Sequence, residues 1–270
     1  MKIVSFNINS IRARPHQIEH LRDTIDPDII GLQETKVNDP DFPIEMINEI
    51  GYHAEYWGQK GHYGVAILSK VKPLNTVKGF IDDSEEDQKR FIQSTHKLGS
   101  QEIVIMNGYF PQGENINHET KFPKKVKFYD DLEQHISELK KHSKNLIVMG
   151  DFNVSPEDID IGIGEQNAKR WLRDGKTSFQ PQEREMWNKI KDLGFVDTWR
   201  VINQNDSSIY SWFDYRSRMF DQDPKRGLRI DHILLSENLK STINKVGIDY
   251  QARAMEKPSD HCPVWLEINE

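Results

Sequence analysis

An α/β fold is the class this sequence predicts, on three observations. Apolar runs bounded by polar residues, Asp28 to Gln33 and Asn145 to Asp151, read as strands buried on both faces. A helical apolar repeat over Lys121 to His142, carried by Val126, Tyr129, Leu132, Ile136 and Leu139, leads into the second of them. Many closely spaced strand patterns, Tyr52 to Gly58, Tyr63 to Ser69, Arg90 to Leu98 and Gln101 to Tyr109, imply antiparallel pairing as well.

Lys2 to Asn9 alternates, with Val4, Phe6 and Ile8 on one face and Ser5, Asn7 and Asn9 on the other. Asn7 belongs either to a site or to a surface-facing edge. Pro15 opens a helix on Ile18, Leu21 and Ile25 that ends at Pro27, and Glu34 follows the strand after it. An acidic loop, Asp82 to Asp87, separates the middle strands, and Phe-Pro-Gln-Gly after Tyr109 breaks the last of them. Glu165 to Leu172 and Gln182 to Leu193 read as further helices, whose aromatics are expected in the core.

The 270 residues are 36% hydrophobic, enough for a real core, and no Pro/Gly/Ser-rich linker divides them, so a single domain over 1–270 is expected. No apolar run approaches the ~20 residues of a membrane span, and a cytoplasmic protein is expected. Cys262, the single cysteine, lies in an apolar run and reads as a buried small hydrophobe. A net charge of -7 argues against a nucleic-acid partner, yet acids gathered around a metal would distort that total. Basic residues do cluster: Lys121, Lys124, Lys125 and Lys127; Lys169, Arg170, Arg173 and Lys176; Arg216, Arg218, Lys225, Arg226 and Arg229. They are either a DNA-facing field or solvated faces.

The stretch Asn-Leu-Ile-Val-Met-Gly-Asp-Phe-Asn from Asn145 organises the chemistry. Side chains at i and i+2 of a strand share a face, so persistence of the extended conformation would point Asp151 and Asn153 together, able to orient a water. The same residues also suit a strand-ending turn. Glu34 repeats the position at another strand end, and hard divalent cations need such oxygens. Arg229 and Asp231 share a face of the apolar run Leu228 to Leu235, where an acid needs a partner. Asp260 and His261 can reach one pocket only if their proline-flanked turn is irregular.

Asn7 in Ser-Phe-Asn-Ile-Asn, Glu34 in Gly-Leu-Gln-Glu-Thr-Lys, Tyr109 in Asn-Gly-Tyr-Phe-Pro, Asp151 in Gly-Asp-Phe-Asn-Val, Asp231 in Arg-Ile-Asp, and Ser-Asp-His-Cys-Pro-Val occur in order. Together they resemble the endonuclease/exonuclease/phosphatase superfamily. Gly-Gln-Lys-Gly-His-Tyr-Gly-Val-Ala from Gly58, Asp-Ile-Asp-Ile-Gly from Asp158, Lys-Arg-Trp-Leu-Arg from Lys169 and Ser-Trp-Phe-Asp-Tyr-Arg-Ser from Ser211 extend the resemblance to its exonuclease III type of abasic-site endonucleases, over essentially the whole chain.

The resemblance implies a four-layer α/β/β/α sandwich of two mixed sheets flanked by helices. It implies a monomer acting on double-stranded DNA, especially DNA with abasic sites or blocked 3' ends. The activities implied are incision 5' to an abasic site, 3'-to-5' exonuclease action, removal of 3'-phosphate and related blocking groups, and cleavage of RNA in hybrids. Mg²⁺, with Mn²⁺ as a substitute, would be held by Glu34 and Asp260 with Asn7 nearby, and Asp151, Asn153 and His261 complete the candidate ligands. Asp151 would activate water and Asn153 orient it, while His261, held by Asp231, and Tyr109 would contact the phosphate. One metal or two, and Asp151 or Tyr109 as base, are left open. Trp212, Leu228 and Ile230 would wall a pocket for an extruded base-free sugar, and Arg216 and Lys121 are further candidates for substrate contact. Two other classes share these motifs: superfamily phosphatases and a catalytically silent nucleic-acid-binding relative.

Overall fold

Two mixed six-stranded sheets pack face to face in the computed structural model, which describes residues 1–84 and 86–269. Glu85, within the expected acidic loop, and Glu270 lie outside the described residues. The strands are β1 (Lys2–Asn7), β2 (Ile29–Gln33), β3 (His53–Trp57), β4 (Val65–Ser69), β5 (Asn75–Lys78), β6 (Phe91–Leu98), β7 (Gln101–Tyr109), β8 (Leu146–Asp151), β9 (Phe195–Asp197), β10 (Asp231–Ser236), β11 (Ile243–Ile248) and β12 (Val264–Ile268). One sheet runs β11-β12-β1-β2-β4-β3 and the other β5-β6-β7-β8-β10-β9. The helices are α1 (Pro15–Thr24), α2 (Ile44–Glu49), α3 (Lys121–Leu139), α4 (Glu165–Arg173), α5 (Pro181–Asp192), α6 (Thr198–Ile202) and α7 (Tyr250–Ala254).

Three apolar layers account for the expected α/β/β/α order. Ile3, Ile29 and Ile67 of one sheet meet Ile105, Ile147 and Ile233 of the other between the sheets. Val4, Phe6, Ile30 and Leu32 face outward onto Ile18, Leu21 and Ile47 of α1 and α2. Met106, Val148 and Leu234 do the same against α3 and α5, through Tyr129, Leu132, Trp187 and Ile190. β2 and β8 are thus covered on both faces, which is why these segments read as continuous apolar runs, whereas β1 and β7 turn Asn7 and Asn107 inward.

Each sheet is built around one parallel pair, β1 with β2 and β7 with β8, and the expected antiparallel strands flank them. The carboxyl ends of all four parallel strands lie at one end of the sandwich. Asp231 opens β10 directly opposite Asp151, because β10 runs antiparallel to β8. Gly150 permits the close approach of β8 to β7: at φ 149° a Cβ there would lie 1.9 Å from the Gly108 carbonyl oxygen.

Buried polar groups pin the sheets together behind that end. Asn107 of β7 donates to the carbonyls of Leu32 (3.0 Å) and Ala66 (2.9 Å) in the opposite sheet, and accepts from Gln33 Nε2 at 2.6 Å. Such bridges fix how one sheet slides on the other, because a shifted register would leave the groups buried and unpaired.

Several sequence expectations change. Helix α3 stops at Leu139, and the residues to His142 form a turn. Lys125 is fully buried against Glu183 and leaves the basic face to which the sequence assigned it. Arg229 precedes β10, so the strand alternation does not reach it; buried, it points away from Asp231 onto Asp160 (2.7 Å) and Asp197 (2.7 Å). Cys262 is buried as expected, and burial pushes its thiol pKa up. Among the described residues no helix is long and apolar enough to cross a membrane.

His96 on β6 is buried and shares a 2.8 Å hydrogen bond with Ser94 Oγ. Burial lowers its pKa from 6.5 to about 4, so the folded state resists a proton that the unfolded chain accepts. Its contribution is complete above pH 6.5 and declines as the pH falls toward 4, by on the order of 3 kcal/mol at most. Thermal unfolding followed across that window should show a steeper loss for the native chain than for His96→Gln, which cannot titrate; parallel curves would contradict the assignment.

Candidate active site

The strand ends converge on a cleft of about 240 Å³ lined by Glu34, Tyr109, Gln112, Asp151, Asn153, Trp171, Lys176, Ser178, Trp212, Leu228, Ile230, Asp260 and His261. Asn7 lies beneath it, fully buried on the inner face of a central strand, so the surface-edge explanation of its polarity does not hold. Its Nδ2 donates to Glu34 Oε1 and to Asp151 Oδ2, each at 2.9 Å. One amide therefore joins carboxylates from both sheets.

Asp151 and Asn153 do share the cleft, though not through an extended strand. β8 ends at Asp151, and Asn153 adopts φ 52°, its N–H donating to Asp151 Oδ1 (3.0 Å) and its Nδ2 to the Phe110 carbonyl (3.0 Å). Glu34 adopts φ 53° immediately after β2, a conformation sparsely populated for non-glycine residues and concentrated at functional sites. Turn and site are here the same structure.

The irregular turn expected before Cys262 carries both Asp260 and His261 into the cleft. His261 Nδ1 donates to Asp231 (2.9 Å to Oδ2), the partner that the buried acid required, while Nε2 lies 3.7 Å from Asp151 Oδ2. Asp260 accepts from Trp212 Nε1 (3.1 Å) and from Asn9 Nδ2 (2.9 Å). Lys36 Nζ reaches Asn9 Oδ1 (2.6 Å) and Glu34 Oε2 (2.7 Å), linking the acids further.

Electrostatics separates the roles of these groups. Burial pushes the Asp151 pKa well up, helped by Asp231 and Glu34 and opposed by His261 and Asn7. Burial alone would lower His261, but Asp231 and Asp151 outweigh it and raise it, favouring imidazolium. Burial would likewise raise Glu34, yet Lys36 and Asn7 hold it below the usual carboxylate range. Tyr109 is raised well above 10 by burial and by Glu34, which keeps its phenol protonated. Arg90 lies 4.4 Å from the centre of that ring and donates to the Tyr109 carbonyl at 3.0 Å.

The donor set is one that fits a divalent cation. Carboxylates of Glu34, Asp151 and Asp260 and the amide of Asn153 line the cleft, hard oxygen donors with no thiolate among them. Asp151, Asp231 and His261 place polar atoms within 4.8 Å of one another, His261 as imidazolium being a hydrogen-bond donor there.

Leu228 and Ile230 are buried against Ile163 and Phe179 and also line the cleft, so they are core and wall at once. Trp171 departs from the expectation of core aromatics: it stacks on Phe179, carries Lys176 Nζ 3.5 Å above its ring and faces the cleft. Lys121 and Arg216 do not line it; Lys121 is paired with Glu114, and Arg216 is exposed on a turn. Sequence reasoning assigned no site role to Asn9, Lys36, Arg90, Gln112, Trp171 or Ser178. Asn9 carried a signal in its place beside Asn7 on the polar side of the alternation, and Lys36 and Trp171 lay inside the quoted motifs, while Arg90, Gln112 and Ser178 carried none.

The fold and the site together define the class: the chain belongs to the endonuclease/exonuclease/phosphatase family, whose profile matches residues 4–261. Within that family it is a phosphodiester-hydrolysing nuclease of the exodeoxyribonuclease III type. Exodeoxyribonuclease III of Haemophilus influenzae is 51% identical to it over 268 residues, covering 99% of this chain and 100% of that protein. The 3' phosphatase NExo from Neisseria, solved with a product DNA hairpin, superposes with a TM-score of 0.91 at 33% identity, and an AP endonuclease from Archaeoglobus fulgidus with 0.88 at 34%. Each covers 100% of both chains.

The His261–Asp231 pair supplies a direct check. Asp231→Asn retains an oxygen for the Nδ1 hydrogen bond but no longer stabilises imidazolium, so turnover should fall about 10²-fold or more while duplex affinity changes little. Steady-state turnover and a binding titration on the same duplex measure both; unchanged turnover would remove the charged histidine from the chemistry.

Proposed function

We propose that the cleft incises double-stranded DNA 5' to abasic sites, degrades strands 3' to 5', removes 3'-phosphate and related 3' blocking groups, and cuts RNA in hybrids. The observation that carries this reading is the juxtaposition of the acid, amide and imidazole cluster with a wall of Trp212, Leu228 and Ile230 in one cleft. The first is suited to a phosphodiester and the second to a base-free sugar turned out of the helix. The names of the relatives point the same way, one a 3' phosphatase and one an AP endonuclease. We take residues 1–270 as one cytoplasmic, monomeric domain.

Glu34 and Asp260, with Asn7 nearby and Asp151 and Asn153 around them, would hold Mg²⁺, or Mn²⁺ in its place, while His261 as imidazolium has no lone pair to join them. A bound divalent cation offsets the negative charge of the phosphate oxygens and of the leaving 3'-oxygen. Asp151 takes the proton of the attacking water, a task that suits its raised pKa, and Asn153 stays beside it to orient that water. His261, kept cationic by Asp231, donates from Nε2 to a non-bridging phosphate oxygen. Tyr109 donates its phenolic hydrogen to the same phosphate. Trp212 closes over the sugar with its indole N–H anchored on Asp260, and so ties the pocket to the acids. Exposed Lys121 and Arg216 contribute to the DNA-facing field outside the cleft.

Asp151 and the cation ligands should separate in a metal titration. Chelation should abolish cleavage and Mg²⁺ or Mn²⁺ restore it; Asp151→Asn should lower single-turnover cleavage by about 10²–10⁴-fold at every metal concentration. Glu34→Gln should instead raise the metal concentration needed for half-maximal rate. Recovery of full rate by Asp151→Asn in excess metal would make Asp151 a ligand only.

Trp212→Ala should damage abasic-site incision more than removal of a 3'-phosphate, because a terminal phosphate needs no sugar extruded from between stacked neighbours. Rates on the two substrates compare them directly, and equal losses would return Trp212 to a general packing or DNA-contact role.

A further inference from the structure

We propose that the buried ion pair Lys125–Glu183 is a positioning device for the cleft, holding the loops of Gln112, Asn153 and Ser178 in the geometry that catalysis needs. The inference rests on the reading of that cleft as the hydrolytic site. Both side chains are 0% exposed, and they come from α3 and α5, neither of which reaches the reacting groups.

All three hydrogens of the Lys125 ammonium are committed: to the Glu183 carboxylate, to the Asn153 carbonyl at 2.9 Å and to the Gln112 carbonyl at 3.3 Å. The second oxygen of Glu183 accepts from the backbone N–H of Ser178 and of Gln180, each at 2.8 Å. The pair thus binds four backbone groups on three separate loops, those following β7, β8 and α4. Each loop contributes a residue to the cleft: Gln112, Asn153 and Ser178.

Two of those residues need to be held. Asn153 has φ 52° and Ser178 φ 113°, conformations that persist only where the surroundings impose them. Stability alone gives little reason for the charges, because well-packed apolar side chains often replace a buried ion pair without loss. An apolar pair could not hold two carbonyls and two N–H groups at once. Lys125 and Glu183 also act from behind the wall, so substrate need never touch them.

The test uses the full chain with two variants, Lys125→Met and the double variant Lys125→Met/Glu183→Gln. The single variant leaves Glu183 uncompensated and should lose thermal stability. The double variant leaves no buried charge, and the side-chain amide oxygen that Glu183→Gln introduces can still receive the Ser178 and Gln180 N–H groups, so most of the Tm should return. On an abasic-site duplex, well below each Tm, kcat should fall about 10²-fold in both variants with KM changed less than about threefold. Amide hydrogen exchange should rise together around residues 112 and 153, whose carbonyls lose their donor, in the double variant.

A kcat that recovers along with the Tm, or exchange unchanged in those segments, would overturn the proposal and leave the pair a stability element. Failure of the unmodified chain to cut this duplex would instead overturn the function proposed for the cleft. The exchange readout is independent of that outcome.

Discussion

Everything at the catalytic end depends on one buried amide. Asn7 offers two N–H bonds and spends both on carboxylates, Glu34 from its own sheet and Asp151 from the other. Sheets packed about 10 Å apart bring their strand ends together whatever those ends carry. What makes these two ends tolerable neighbours is a donor between two acids that would otherwise repel each other across a dry interface. Behind it, Asn107 and Gln33 set the same register with a second layer of buried hydrogen bonds, so the acids cannot drift apart without breaking several at once.

The molecule uses buried charge in two ways, and the difference lies in how completely each group is paired. Arg229 meets Asp160 and Asp197 and donates to His232 at 2.9 Å, while Lys125 has a partner for every hydrogen. These groups are struts. In and behind the cleft the acids outnumber the cations, Glu34, Asp151, Asp231 and Asp260 against Lys36, Lys176 and His261. Burial raises the Asp151 pKa, with Asp231 and Glu34 adding to it, and the gathered acids give a hard cation a place to bind. Part of the acid behind the net charge of -7 is thus gathered at the site itself.

By itself the sequence determined what depends on neighbours along the chain. The central strands, the helices α1, α3, α4 and α5, and the placement of Glu34 and Asp151 at strand ends follow from apolar periodicity and its interruption, which are local signals. Short elements such as α2, β5 and β9 were not legible, because a few residues carry too little pattern and are specified by what they pack against. Motifs met in order identified the family and with it the cleft residues Tyr109, Asn153, Trp212 and His261. Tertiary structure alone decided which charges face the solvent: Lys125 and Arg229 sit among basic neighbours in the chain yet lie buried against Glu183 and Asp160. It also decided that Trp171 faces the cleft and that Asn7 bridges the sheets. Partners 58 residues apart, as Lys125 and Glu183 are, or 144 apart, as Asn7 and Asp151 are, leave no mark in local spacing, since only the packing of sheet on sheet and helix on sheet brings them within hydrogen-bond reach.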